Sequence, residues 1–554
     1  MKKFTHQFAH KKNKCPQKNQ ALFKKTHLFL ITCLLMSAMA VHAEQTDLGL
    51  IKKIRISSGS EKVVSSEDID VREFPSLNIK LLNKFINQPI NKDRLAEMIQ
   101  IINSELYVSG KPYMIATLPE QDISDGNIQI LVTQASVGAV NVKNIGENVF
   151  SEDTLRPLLR VKPGDVLTQE VLDEDVEWIN RSNPYRNAKI VTEPGKAFGQ
   201  TDISLMVTDR KPYAFSLGYD NYGTKTTDRD RVTFSAGWGN VFGTDQQITY
   251  ALNGNPNFNR FESHSLSYVV PLPWRHLLSI SGNVSKINSD LPQPFDSQGR
   301  TSILSLRYDA PLKHLHDYTH GLNAGFDYKR ADNNLLFSQT PVSNTLTKIY
   351  QFNLGYSGTL KDRWGQTTGS LNWVYSPGGY GNENEDAAFN AARFGAKSDY
   401  QYQTLFIQRA TYLPHDWTWT ISARLQWSDT NLLGTEQLTG GGVQSVRGFA
   451  EAYAFGDEGS VIRTELQSPF WELGSGKATS RLQGVLFYDA ARLNSVDKLP
   501  GEEANKRLSA WGVGLRAGLP YQFTMRVDAA KQLVADVPGI DTQNIVHFSL
   551  NKSF

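Results

Sequence analysis

Cysteine is nearly absent: the 554-residue chain has two, Cys15 and Cys33, both close to its start. Beyond them no disulfide framework can form, so stability has to come from the fold itself. Also missing is any apolar run near the ~20 residues that a membrane-crossing helix needs. The sequence offers no Ser-centred elbow, no His pair at metal-ligand spacing and no cysteine nucleophile; no catalytic residue, metal site or cofactor is expected. Leu473-Gly474-Ser475-Gly476-Lys477 imitates the end of a phosphate-binding loop. Trp471, however, stands where the first Gly belongs, and Ala478 where Ser or Thr belongs, so it reads as a glycine-rich turn. His264, His314, His316 and His320 lack ligand spacing and read as surface histidines.

The first 43 residues lack acidic side chains but carry eight lysines. A basic front, the apolar run Leu28 to Val41 and the small residues of Val41-His42-Ala43 predict a signal peptide over 1–43. Thr32 before Cys33 argues against a lipoprotein anchor. Without that segment the lysine and arginine count falls from 58 to 50 against 56 acids, a net charge of −6. The mild basicity of the whole chain thus belongs to the export signal, and no nucleic-acid partner is expected.

Residues 48–134 read as a small α/β module. Leu50 to Ile56 is a strand, and Leu77 to Asn87 and Lys92 to Ser104 are helices, the second with Leu95, Met98, Ile99 and Ile102 at helical spacing. Strands Tyr113 to Thr117 and Asn127 to Val132 complete it. Residues 135–210 repeat the plan: strand Val137 to Lys143, helices Ser151 to Leu159 and Gln169 to Asn180, strands Asn187 to Glu193 and Thr201 to Thr208.

From Lys211 the pattern changes. Segments of ~10 alternating residues recur between Gly, Asn, Asp and Pro clusters, as in a transmembrane barrel. Ile462, Leu466 and Phe470 oppose Val461, Arg463, Glu465 and Gln467; Leu482, Leu486 and Tyr488 oppose Arg481, Gln483 and Asp489. Farther on, Trp511, Val513 and Leu515 oppose Gly512, Gly514 and Arg516; Tyr521, Phe523, Met525 and Val527 oppose Gln522, Thr524, Arg526 and Asp528; Val546, Phe548 and Leu550 oppose His547, Ser549 and Asn551. About 16 antiparallel strands fit between Tyr213 and Phe554, the even count of a single-chain barrel. A chain this polar enters a bilayer only as a closed barrel, in which every backbone group is paired.

On that count the loop 431–458 joins the eleventh and twelfth strands. It carries Thr439-Gly440-Gly441-Gly442 and then Val446-Arg447-Gly448-Phe449; Phe487-Tyr488-Asp489 follows on the thirteenth strand. This pairing resembles the signature of the Omp85 superfamily, most closely its two-partner secretion branch, the ShlB/FhaC/HecB-type transporters. The run Ile102-Asn103, Leu118 to Gln121 and Asp125 to Ile128, and later Asn183-Pro184-Tyr185 and Pro194-Gly195, resemble that family's two periplasmic POTRA domains.

The resemblance implies a membrane β-barrel of about 16 strands, preceded by two POTRA domains, in the outer membrane of a Gram-negative bacterium. It implies that the loop folds inward, with Arg447 locked on Asp489, Gly448 at a close backbone approach, and Val446, Phe449 and Phe487 packing the tip. Ala491 stands where the family often has Gly. The partner implied is a large secreted exoprotein (haemolysin, adhesin or contact-dependent inhibition toxin) bound through its N-terminal secretion domain. Outer-membrane lipid and, during biogenesis, the barrel-assembly machinery are further implied partners. Phe554 resembles the terminal aromatic of the insertion signal, although Lys552 replaces an aromatic usual nearby. Only about five residues separate Glu44 from the first strand, so no plug helix is expected and closure would rest on the loop. An Omp85-type assembly factor is the alternative reading, but such proteins usually carry three or more periplasmic domains. A passive porin has no use for ~160 residues before its barrel.

Overall fold

The computed structural model describes residues 49–58, 69–70, 74, 77–197, 199–292, 294–315, 317–337, 340–498, 503–536 and 544–554. The signal peptide expected over 1–43 and the segment in which a plug would lie fall outside them. Two compact units emerge, one of residues up to 181 with 186–209, the other of 182–185 with 210–554.

In the first unit, strand Lys53–Ser57 runs parallel to Asn127–Gln134, which pairs antiparallel with Met114–Thr117. Helix Lys92–Val108 begins where the Asn91 side chain accepts the Arg94 N–H at 2.8 Å, satisfying one orphan donor. Met98, Ile102 and Leu106 recur every fourth residue and are fully buried against Ile54, Ile56, Ile128 and Ile130. Each such side chain contributes about 1.5–3 kcal/mol. The Asn103 side chain ties this helix to the sheet by accepting the Ala116 N–H at 2.7 Å.

The second sheet of that unit orders Ser136–Asn144, Gln200–Asp209 and Arg186–Pro194, the first pair parallel and the second antiparallel. Helix Gln169–Ser182 covers it, burying Leu172 and Ile179. At the strand end the Asp209 carboxylate accepts from Asn144 Nδ2 at 2.6 Å and from the Val149 and Phe150 N–H groups at 2.7 and 3.0 Å. These bonds fix the loop that enters helix Glu152–Leu155.

The second unit is a closed antiparallel barrel. Its strands are β1 (Tyr213–Asp220), β2 (Arg231–Val241), β3 (Gln246–Gly254), β4 (Phe261–Pro271), β5 (Leu277–Ser289), β6 (Phe295–Pro311), β7 (Tyr318–Phe337) and β8 (Thr340–Asp362). They continue as β9 (Gly365–Pro377), β10 (Asp399–Tyr412), β11 (Thr418–Ser428), β12 (Glu458–Gln467), β13 (Ser480–Asn494), β14 (Asn505–Leu519), β15 (Phe523–Asp536) and β16 (Val546–Ser553). β16 pairs back onto β1 from Ser549↔Asp220 to Ser553↔Ser216, which removes both sheet edges.

Alternation decides which face meets lipid. On β13, Leu486 and Tyr488 are 50 % and 43 % exposed, whereas Phe487 and Asp489 are 2 % and 0 % exposed. The apolar side is the uncovered one, as in a membrane barrel and opposite to a soluble sandwich. The connections 242–245, 272–276, 312–317, 363–364, 413–417 and 520–522 are short and share one rim with 468–479. Exposed Tyr213, Phe242, Trp274, Trp364, Tyr412, Trp471, Tyr521 and Phe554 ring that rim, an aromatic girdle of the kind found at a membrane interface.

Two expectations need correction. β7 and β8 have 20 and 23 residues rather than about ten, because this hairpin continues past the bilayer on the other rim. Strand ends also differ: Phe470 lies beyond the end of β12 at Gln467, in the irregular step 468–470 before Trp471–Leu473 resumes pairing with β13, and Tyr521 and Gln522 lie in the connection before β15.

Candidate functional site

The connection between β11 and β12 turns inward as a hairpin. Leu438–Gly440 pairs antiparallel with Ala454–Gly456, which carries 441–453 as its tip. Gly441 and Gly442 turn the chain with φ of +95° and +92°, conformations that side chains rarely adopt. A Cβ on Gly442 would sit 2.1 Å from the Glu451 carboxylate, whose Oε1 accepts the Val443 N–H at 2.6 Å. Val446 and Phe449 are fully buried with Leu438 and Ala454 from the hairpin, Val461 from β12, Ala491 and Leu493 from β13, and Leu508 and Ala510 from β14. Phe449 also meets the Tyr453 ring at 5.1 Å between centroids. Ala491 fits this apolar patch, so the missing Gly leaves the packing intact.

Arg447 at the tip has no exposed surface. Its Nε and Nη2 donate to Asp489 Oδ2 and Oδ1 at 2.6 and 2.8 Å, and its backbone N–H donates to Oδ2 at 3.2 Å. This is the bidentate fork that suits a planar guanidinium. The guanidinium carbon lies 3.5 Å from the centre of the Phe487 ring, so that aromatic is a cation–π floor as well as packing. Gly448 has φ of +90°, and a Cβ there would come within 2.8 Å of the Ala530 Cβ on β15. Its N–H donates to His547 Nε2 at 3.2 Å, and its carbonyl accepts from Gln532 Nε2 at 2.7 Å and from the Ile545 N–H at 3.2 Å.

The structure thus brings Val446, Arg447, Gly448, Phe449, Phe487 and Asp489 into one buried cluster. It adds residues that the sequence left as anonymous lumen polarity. Arg447 Nη1 lies 2.6 Å from Glu465 Oε1 on β12 and 3.7 Å from Asp528 Oδ1 on β15. Asp528 is held by Arg516 and Arg526 at 2.7 and 2.6 Å, and Arg463 Nε lies 3.5 Å from Asp489. Four guanidinium groups therefore face three carboxylates across β12 to β15, with His547 of β16 closing the ring. Period-two alternation identified their side of each strand, but only barrel closure identifies their partners.

Phe554 stands apart from this cluster. Its N–H donates to the Phe215 carbonyl at 3.0 Å at the seam, and Lys552 Nζ lies 4.9 Å over Phe523 and 5.1 Å over Phe554. The Gly474–Gly476 segment is a turn with φ of +93° and +62° at its two glycines. His264 lies 2.7 Å from Tyr250 Oη and 2.9 Å from Glu262, and His320 donates to the Lys313 carbonyl at 2.9 Å; His316 is outside the described residues. Among the described residues no group of three or more His, Cys, Asp or Glu could hold a metal ion.

Comparison with known proteins agrees with this arrangement. The family model "haemolysin secretion/activation protein ShlB/FhaC/HecB" matches residues 199–517, and a POTRA model, "surface antigen variable number repeat", matches 135–209. The heme/hemopexin transporter protein HuxB of Haemophilus influenzae is 23 % identical over 83 % of this chain and 81 % of its own. The outer membrane transporter CdiB of Escherichia coli is 24 % identical over 79 % and 74 %, and the hemolysin transporter protein ShlB of Serratia marcescens 24 % over 72 % and 69 %. In fold, the solved structure of CdiB from Escherichia coli matches with a TM-score of 0.70 at 20 % identity over 97 % of both chains. That of CdiB from Acinetobacter baumannii matches at 0.63 and 18 %, over 97 % and 98 %. The chain belongs to the haemolysin secretion/activation protein family ShlB/FhaC/HecB, non-catalytic outer-membrane transporters in which a barrel follows periplasmic POTRA domains.

Proposed function

We propose that this transporter captures a large exoprotein by its N-terminal secretion domain and passes it, unfolded, through the barrel to the cell surface. The observation that carries the gating part is Arg447, a charge buried at the inward tip and bidentate to Asp489. Breaking an ion pair held wholly out of water is costly, so this bidentate contact marks a defined closed state rather than a wandering loop. Export requires that the tip leave this site. Residues 48–134 and 135–210 act as two POTRA domains that receive the partner, by adding a strand to an open sheet edge such as Arg186–Pro194. Folding of the exported chain outside supplies the driving force. A haemolysin, an adhesin and a contact-dependent inhibition toxin all suit this description. Phe554 acts as the insertion signal read by the barrel-assembly machinery, and the outward aromatic and aliphatic rows contact lipid.

The test is export of a candidate secreted partner co-expressed with wild type, Arg447→Ala, Asp489→Ala and a deletion of 48–210, with the surface amount of each variant measured in parallel. Loss of extracellular partner from inserted barrels is the expected result. Undiminished export would refute the proposal, and loss of other barrels from the membrane would favour an assembly factor instead.

A further inference from the structure

The tip is one of two places where the inward loop is held. Its root, where the chain leaves β11 and enters β12, is clamped by a separate set of residues. Asp457, with no exposed surface, accepts both Arg393 Nη1 and, at 2.9 Å, Arg393 Nη2. It also accepts the Leu432 N–H at 2.9 Å, Gln437 Nε2 at 3.2 Å and the Val496 N–H at 3.2 Å. Arg393 follows helix Asp386–Ala392 in the connection between β9 and β10. One carboxylate therefore joins three outer connections: the one bearing that helix, the loop root, and the turn after β13.

The other side of the root is held as firmly. Glu436 receives Lys329 Nζ of β7 at 2.6 Å and Tyr402 Oη of β10 at 2.9 Å. Gln426 of β11 donates to the Glu436 and Asp457 carbonyls, both at 3.0 Å. Asn431 donates to the Phe394 and Asp497 carbonyls at 2.8 Å, and a parallel bridge joins it to Ala396. Beneath these polar groups Leu432 and Leu433 pack with Phe389 of the helix and with Ile349, Val374 and Tyr400 of the wall. Buried charges with complete partners are costly to separate, and here they accompany an apolar seat.

We infer that Asp457 and Glu436 are positioning residues, a pair of hinge posts that stay fixed during transport while only the hairpin 438–456 swings out of the lumen. This rests on the reading of the tip as the closure. The tip can find Asp489 again after each passage because its two stems never leave the wall. A ligand-free root, in contrast, would let the whole loop escape outward and leave the pore open with the tip's own chemistry intact.

The chain's sparse cysteines allow a direct test. In Ala396→Cys/Asn431→Cys the bridged positions are about one strand spacing apart, ~4.8 Å, within the Cα range of a disulfide. The full-length protein is inserted in planar bilayers for conductance and tested in cells for export of its exoprotein, with inserted amount as control. Asp457→Asn and Arg393→Gln, which keep the polar shape and so some of the bonds, are expected to raise the open fraction by about tenfold, or about 1.4 kcal/mol. The double-cysteine protein is expected to leak when reduced, and to close and export normally when oxidised. Export blocked by oxidation would overturn the fixed root. Asp457→Asn, Arg393→Gln and the reduced double variant all as tight as wild type would overturn any role for the root. If the disulfide fails to form, the first two variants decide alone. Arg447→Ala measured alongside keeps the readings apart: if it does not leak, the tip closure fails, whatever the root variants do.

Discussion

Arg447→Ala removes the whole side chain from a site without solvent. Lost with it are the two bonds to Asp489 at 2.6 and 2.8 Å, the 2.6 Å contact with Glu465 and the stacking 3.5 Å over Phe487. Breaking a buried pair by deleting one partner typically costs about 3–5 kcal/mol, because the survivor stays buried and uncompensated. Here the survivor is not wholly abandoned: Arg463 Nε lies 3.5 Å from Asp489, and Asp528 keeps Arg516 and Arg526. The lower end, about 3 kcal/mol, therefore applies, and at 1.4 kcal/mol per decade the docked-to-free ratio of the tip falls roughly 100-fold. Asp489→Ala should cost more, since it leaves four guanidinium groups facing two carboxylates. Single-channel recording of purified, inserted protein reads that ratio as closed time over open time. A ratio of closed to open time unchanged within threefold for both variants, at equal insertion, would refute the reasoning.

Gly448→Ala should unseat the tip by about 1–3 kcal/mol, because φ of +90° strains any side chain and the new Cβ meets Ala530 at 2.8 Å. Adding Ala530→Gly should restore closure only in part, relieving the clash but not the backbone strain; the same recordings check it. Asp209 contributes a pH dependence to the second periplasmic sheet. Burial pushes its carboxyl up, but bonds from Asn144 and from the Phe150, Val149 and Glu147 amides outweigh this and hold it below the usual range. A depressed folded pKa gives stability that is complete above the unfolded value near 3.9 and lost as pH falls through the folded one. Thermal unfolding of the periplasmic unit in the full chain should thus be flat from neutral pH down to about 5 and fall below about 4. Asp209→Asn should flatten that acid limb and cost about 1–3 kcal/mol at neutral pH. Phe554→Ala should lower the amount of barrel reaching the membrane without altering closure of those inserted, measured by surface labelling beside conductance.

The sequence by itself carried the architecture wherever the signal was local. Alternation of Leu486 and Tyr488 with Phe487 and Asp489 needs only a period of two to name the wet and the lipid-facing side. Helical spacing of Met98 and Ile102 named a core face in the same way. Glycines at 440–442 and 448 announced backbone that turns where side chains do not fit, and the Arg447 and Asp489 pair could be matched through its family signature. What the tertiary structure alone decided is which charge meets which. Glu465, Asp528 and His547 converge on Arg447 and Gly448 only because the barrel curves shut, and His547 is 99 residues from the glycine whose N–H it accepts. Arg393 and Asp457 lie 64 residues apart on separate connections, with no periodicity or motif to link them. A strand's pattern fixes the direction of a side chain, a property of two residues; a salt bridge needs a distance, which closure of the whole sheet sets.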